Sequence, residues 1–204
     1  DFQEQNQAEL IKAMDSFYQR AYKLMDNPNA REAFNLKKEN NKTRQFYGMH
    51  QAGQRLLMAR RLVEAGARYI SLTVGTWDHH ANIRRGIEQN MPPLDQAYAA
   101  LITDLNQRGL LESTLVILNS EFGRTPKINK DGGRDHYPRV FSMAMAGGGI
   151  KQGLVYGQSD STSTAVEENP VHLADFSRTF YHLMGVDEET RLLAPGDRPI
   201  PIIK

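Results

Sequence analysis

The run Thr114-Leu115-Val116-Ile117-Leu118-Asn119 limits what this chain can become more than any other stretch. It is apolar, rich in β-branched residues and of strand length, and it stops abruptly in Ser120-Glu121-Phe122-Gly123-Arg124-Thr125-Pro126. A continuous apolar run of this kind suits a strand buried on both faces of a parallel sheet. In open α/β sheets, ligands gather beyond the carboxyl ends of the strands. The carboxylate of Glu121 and the guanidinium of Arg124 sit just past such an end, with Gly133-Arg134-Asp135-His136 a little further on. That stretch is therefore a candidate site.

The flanking patterns extend the α/β reading. Apolar residues recur every three or four positions from Ala8 to Met25, which predicts an amphipathic helix, and Asn27-Pro28-Asn29 breaks it. A shorter helix is expected over about Arg31 to Lys37. Gln45 to Ala65 reads as one helix, with Leu56, Ala59, Leu62 and Val63 inward and Gly66 as its stop. The adjacent Arg60 and Arg61 read as a solvated face of that helix. From Arg68 to Val74, Ile70, Leu72 and Val74 alternate with polar neighbours as in a strand, and this segment runs straight into Gly75-Thr76-Trp77-Asp78-His79-His80.

Pro92 and Pro93 precede a helix expected from Leu94 to Arg108, with Leu94, Ala97, Tyr98, Leu101, Ile102 and Leu105 as its buried stripe. Strand, helix, strand is the βαβ order, which predicts a parallel sheet. Phe141 to Ala146 is expected as a third strand, with Gly147-Gly148-Gly149 turning into a fourth near Leu154 to Tyr156. A phosphate cradle is the weaker reading of those glycines, since no Gly-Lys-Ser/Thr and no helix start follow. Asp160 to Asn169 reads as a polar loop. Pro170 opens a last helix with Leu173, Phe176, Phe180 and Leu183 inward and Gly185 at its close. The Pro-rich tail is expected to be irregular.

Several function classes find no footing. With 25 basic and 24 acidic residues the net charge is +1, which offers nothing to a nucleic acid or an acidic membrane. No apolar run reaches membrane-spanning length, and no signal peptide is visible. The chain has no cysteine, so thiolate metal sites and cysteine nucleophiles are excluded. Any metal must be held by His, Asp, Glu or water. At 204 residues the chain is long enough for one domain with a core of its own.

Two expected strand ends deliver groups that can bind metal: Asp78, His79 and His80 at one, Glu121 at the other. Asp135 and His136 follow on a loop tight enough to need Gly132 and Gly133. Oxygen and imidazole ligands suit a hard or borderline divalent cation. Such an ion can polarise a phosphoryl or sulfuryl oxygen, or lower the pKa of a bound water. Arg124 complements it, because a planar guanidinium can grip two oxygens of an anionic group. The plainer readings are a local Glu121–Arg124 ion pair, structural roles for His50, His172 and His182, and a core or rim position for Trp77.

The motifs Tyr47-Gly48, Ala59 to Gly66, Trp77-Asp78-His79-His80, Ser120 to Pro126, Gly133-Arg134-Asp135-His136 and Ala146 to Ile150 occur in this order. Together they resemble the DUF1501 family, a group of sulfatase-like proteins related to the alkaline phosphatase superfamily, from about Phe34 to Pro201. The resemblance implies a three-layer α/β/α sandwich with a mostly parallel sheet. It also implies a single domain over 1–204, with 1–66 a helical lead-in and 67–204 the sheet and its covering helices. Active members of that superfamily use one or two divalent metals beside a Ser or Thr nucleophile. Carried over by position, Asp78 and His80 are ligands of one metal, with His136 completing it. Glu121 stands where the wider superfamily places a carboxylate for the other metal. Phe122 stands where that superfamily has His, and a phenyl ring cannot ligate.

The activity implied is hydrolysis of a small sulfated or phosphorylated ester. Glu121 would assist as ligand or base, Arg124 would hold the anion, and the cofactor would be a divalent metal (Zn, Ca, Mg or Mn). The resemblance places the nucleophile in an N-terminal part outside these residues. This chain would then be a C-terminal half with an incomplete sheet of about four or five strands. Its open edge would be covered by that missing half or by another chain. Export or a periplasmic location comes with the same resemblance. The alternative is a catalytically inactive member of the fold that serves as a binding or structural scaffold.

Overall fold

A computed structural model describes residues 28–202 together with Asp15 and Tyr18, and the helix expected over Ala8 to Met25 lies almost wholly outside them. Helix α1 (Pro28–Ala33) and a 3-10 turn (Leu36–Lys38) lead into α2 (Asn41–Tyr47). The Asn40 side chain accepts a hydrogen bond from Thr43 N at 2.7 Å and so caps the start of α2.

Here the first difference from the sequence reading appears. The helix expected over Gln45 to Ala65 is broken at Gly48, whose φ of 96° ends α2. His50 Nδ1 then accepts from Gly53 N at 3.1 Å and starts α3 (Gln51–Glu64) afresh. His50 is thus a helix cap rather than a residue inside a helix. Helix α3 ends as expected, with Gly66 at φ 88° just beyond it.

Helix α4 (Ile83–Gln107) begins eleven residues before the expected start and runs through Pro92 and Pro93. Its entry is anchored from outside, for Asn82 N donates to Asp131 O and Ile83 N donates to Gly132 O at 3.1 and 2.9 Å. The two prolines deprive the carbonyls of Glu88 and Gln89 of their helical donors. Both residues are exposed, so water can take those places.

The core lies where these helices meet. Tyr47, Leu56, Leu57, Ala97, Ala100, Leu101 and Leu105 are buried together, with Val63, Leu111 and Val116 packed against them. The five larger of these, Tyr47 and the four leucines, supply on the order of 10 kcal/mol of transfer free energy at about 25 cal/mol per Å². Conformational entropy offsets most of that sum.

A polar cluster is set among these apolar residues. Arg60 is 2% exposed and pairs with Glu39 and Glu64 at 2.5 and 2.6 Å, while its Nε lies 2.9 Å from Asp104 Oδ2. That last contact is an ion pair without hydrogen-bond alignment, since Nε has no hydrogen-bond partner among the described residues. Tyr47 donates to Asp104 at 2.9 Å, and Arg108 reaches Asp104 and Glu64, each at 2.7 Å. The solvated face expected at Arg60 and Arg61 is therefore corrected. Arg60 is the buried hub of the helical layer, and Arg61 holds Glu39 and the carbonyls of Glu32 and Ala33.

The expected three-layer α/β/α sandwich with a mostly parallel sheet is not what the described residues form. Their strands pair two by two, and every ladder is antiparallel. These are β1 (Val116–Leu118) with β4 (Ala144–Ala146), β2 (Gly123–Arg124) with β3 (His136–Tyr137), β5 (Gln158–Ser159) with β6 (Val166–Glu168), and β7 (Arg191–Ala194) with β8 (Arg198–Pro201). The expected sheet of four or five strands with one open edge falls with it.

Two causes can be named. Among the described residues Arg68 to Val74 joins no ladder, so the strand–helix–strand unit lacks its first member there. Strand β1 instead pairs with β4 across a connection without a helix, and such a connection brings the chain back antiparallel rather than parallel. Leu154 to Tyr156 forms no strand either, and Val166–Glu168 lies within the stretch expected as loop. Helix α5 (Leu173–Leu183) starts after His172 rather than at Pro170. The tail expected to be irregular is a hairpin, turned by Gly196 and Asp197 at φ 81° and 54°.

Candidate metal centre

The site is assembled from two loops that meet at the head of α4. In the first, Trp77 Nε1 donates to Val74 O at 2.7 Å, and His79 N and His80 N turn back to the carbonyls two residues before them. These successive turns send Asp78 and His80 one way and His79 the other. His79 packs its ring over Gly86 and lies 3.3 Å from Asn90 Nδ2. Only His80 joins the cluster.

The second loop joins β2 to β3. Asn129 Oδ1 accepts from Asp131 N and Gly133 N at 3.0 and 2.9 Å and closes the turn. The turn docks on the first loop through an Ala81–Gly132 bridge and through Arg134 N, which donates to His79 O at 3.0 Å. Gly133 lies so close to the His80 backbone that a Cβ there would sit 2.0 Å from its carbonyl carbon. Only glycine fits. Across the β2–β3 ladder Arg124 stands opposite His136, so both side chains can reach the same point.

That point is Asp78 Oδ1. Arg124 Nη2 lies 2.7 Å from it, His136 Nε2 2.9 Å and His80 Nε2 3.0 Å, while the two imidazole nitrogens are 3.2 Å apart. The His136 hydrogen bond first, and Arg124 second, hold the Asp78 carboxyl well below the usual carboxylate range. Asp135 is likewise held low, by His80 Nδ1 at 2.7 Å and then by Asn129. The side chains of Asp78, His80 and His136 are 61%, 47% and 50% exposed, so the cluster lies open to ions and water. The concavity formed by His182 and Gly185 to Glu189 lies elsewhere and contains none of these residues.

Asp78, His80 and His136 are thus brought together as a group able to hold a metal ion. Their donor triangle, with sides of 2.9, 3.0 and 3.2 Å, can be tested for fit. An ion about 2.1 Å from each donor would see them at angles near 90°, as on one face of an octahedron, with further positions open. The residues fit. Glu121 is exposed and stands outside this group, in the turn ahead of β2. Phe122 packs its ring against His136, with centroids 4.3 Å apart, and supplies a wall. The sequence reading missed Asn129, which closes the turn and also reaches Asp135 and the His80 carbonyl. The signal available was an Asn three residues ahead of a Gly-Gly pair.

What the fold and the cluster define is a helix-packed α+β chain with a two-histidine, one-carboxylate centre on its surface. The chain belongs to the DUF1501 family, whose description is "protein of unknown function" and whose model matches residues 1–204. No curated protein and no solved structure matches it. No helix among the described residues is long and apolar enough to cross a membrane.

Proposed function

We propose that Asp78, His80 and His136 bind one divalent cation, and that the chain is the metal-bearing part of a hydrolase acting on sulfuric or phosphoric esters. The observation that carries the reading is the donor triangle itself, in which His136 joins Asp78 and His80 from more than 50 positions further along the chain, faced by a guanidinium. Two imidazoles with one carboxylate suit Zn better than Mg or Ca. When bound, the ion would polarise an ester oxygen or acidify a water. Arg124 would hold the anionic group with its fork, and Glu121 would act from the rim as base or additional ligand. The nucleophile is assigned to a Ser or Thr outside these residues, and the sulfatase-like kinship and export come with the same reading.

A non-catalytic scaffold is the second reading. One observation favours it: Arg124 already pairs with Asp78, and the histidines fill the remaining contacts, so the cluster is satisfied by its own hydrogen bonds. Calorimetric titration with Zn2+ and Mn2+ separates the two. The metal reading expects one ion per chain in the wild type, its loss in His136→Ala, and a nearly unchanged melting temperature for the metal-free variant. No uptake by the wild type, or a large drop in the variant's stability with uptake intact, makes the histidine structural. Aryl sulfate and aryl phosphate then test turnover by the full-length protein with metal supplied. A protein that loads metal yet turns over neither ester leaves binding as the function.

A further inference from the structure

We infer that Asp135 is a positioning residue of this centre: it accepts the hydrogen bond of His80 Nδ1–H and leaves the Nε2 lone pair facing the cation site. The inference rests on the metal reading above and gives Asp135 a role that its place among possible ligands did not. Asp135 Oδ1 lies 2.7 Å from His80 Nδ1, while His80 Nε2 faces Asp78 and His136 on the other side of the ring. An ionised carboxylate only accepts hydrogen bonds, so the shared proton belongs to Nδ1. In a neutral ring Nε2 is then bare, which is the form that binds a metal.

The His136 contacts agree with that assignment, and His80 Nε2 meets Asp78 Oδ1 at 3.0 Å as one acceptor facing another, a pair that a cation would join. Asp78 Oδ1 also only accepts, so His136 Nε2 supplies the hydrogen in their 2.9 Å contact. His80 Nε2, 3.2 Å from that nitrogen, faces the same hydrogen as a second acceptor. The hydrogen on His136 Nε2 thus faces the other two donor atoms, and a cation takes its place once that nitrogen gives it up.

Asp135 is itself fixed, as a positioning group must be. Asn129 Nδ2 donates both to its Oδ1 at 3.2 Å and to the His80 carbonyl at 2.9 Å, tying the carboxylate to the backbone of the histidine it orients. Asp135 N donates to Thr125 Oγ1 at 3.1 Å, and Thr125 N donates to Asp135 O at 2.9 Å. Among the described residues no hydrogen bond is made to His136 Nδ1, and that ring is held by Phe122 instead. His80 is accordingly the stronger donor of the two, because a carboxylate on the far nitrogen raises an imidazole's basicity toward a metal.

The test pairs Zn2+ affinity with the tautomer of the metal-free protein. Asp135→Ala should weaken Zn2+ binding about 10- to 100-fold, Asp135→Asn by less, and Asp135→Glu should recover part of the loss. Nitrogen-15 spectra of the metal-free wild type should show His80 protonated at Nδ1, and Asp135→Ala should move the proton toward Nε2. If Asp135→Ala unfolds by circular dichroism, the Asn variant and the wild-type spectrum decide in its place. Unchanged affinity in the variants beside a wild type that binds overturns the positioning role and leaves the centre standing. So does a wild-type His80 protonated only at Nε2. A wild type that binds no metal fails the parent reading and this one together, and the wild-type titration alone reveals it.

Discussion

Replacing Gly133 with alanine tests the docking of the two loops on which the centre depends. An added Cβ would meet His80 C at 2.0 Å, His80 O at 2.1 Å and Ala81 N at 2.4 Å. Non-bonded heavy atoms rest at about 3.5 Å, so the loop must retreat by roughly 1.5 Å. All three obstacles are backbone atoms, and no side-chain rotation relieves them. The retreat pulls on Arg134 N to His79 O, Asn82 N to Asp131 O and Ile83 N to Gly132 O, at 3.0, 3.1 and 2.9 Å. At a net ~0.5–1.5 kcal/mol each, and toward the low end at an exposed site, losing them costs about 2 kcal/mol. That lies within the ~1–3 kcal/mol usual for overpacking.

The effect on the centre should be larger than the effect on stability. Metal ligands tolerate displacements of only about 0.2 Å, so moving His136 away from Asp78 and His80 should lower Zn2+ affinity by about 100-fold or more. Gly132→Ala is the matched control. Its Cβ would have only Asn82 N nearby, at 3.8 Å, but its φ is +71°. It should lose about 1–2 kcal/mol to backbone strain and keep its metal. Urea denaturation of the metal-free proteins and Zn2+ titration measure the two quantities separately. A Gly133→Ala protein with wild-type stability and wild-type affinity would show that the loops do not meet as described.

Other perturbations address the helical layer. Arg60→Ala should cost about 3–5 kcal/mol in urea denaturation, because it leaves the carboxylates of Glu39 and Asp104 without their buried cation; a loss below about 1 kcal/mol would mean the cluster is solvated. Tyr47→Phe removes the donor 2.9 Å from Asp104 and should cost about 1–2 kcal/mol, less than Arg60→Ala because Arg60 and Arg108 both still serve that carboxylate. Burial pushes Glu39 up, but Arg60 and then Arg61 outweigh it and hold the carboxyl below its ordinary 4.5. A depressed carboxylate stabilises the fold above its unfolded value, and that stability is lost as pH falls through its lower folded value. The stability gap between wild type and Glu39→Gln should therefore be full at pH 7 and shrink below about pH 4.5; a gap independent of pH would refute the pairing.

The metal-capable residues could be read from the chain because their chemistry is local. Asp78, His80 and His136 are the kinds of group that bind cations, and Gly132-Gly133 announces a tight loop beside them. The family resemblance singles out His80 over His79, and the structure turns their side chains to opposite sides. The buried role of Arg60 left no comparable trace, since its partners Glu39 and Asp104 lie 21 residues before and 44 residues after it. Arginine beside arginine on a helix ordinarily means solvent. The parallel sheet rests, in the sequence, on the strand–helix–strand order whose first strand is the alternation in Arg68 to Val74, yet a strand exists only where a neighbour supplies its hydrogen bonds, and pattern cannot show that neighbour. Helix α4 was shortened because Pro92-Pro93 resembles a beginning. Its true beginning is held by the carbonyls of Asp131 and Gly132, 49 residues downstream.

Arg60 gathers carboxylates from three separate segments of chain: Glu39 after the 3-10 turn, Glu64 on its own helix and Asp104 on α4. Two greasy helices can slip past each other by a turn, about 5.4 Å, and still bury grease against grease. A buried guanidinium that slipped so far would face apolar side chains, so the charges key one helix to the other much as a polar residue keys a coiled coil. Helix α4 carries that key at Asp104 and starts three residues after His80. The notch that sets its phase at one end thereby aims the histidine at the other.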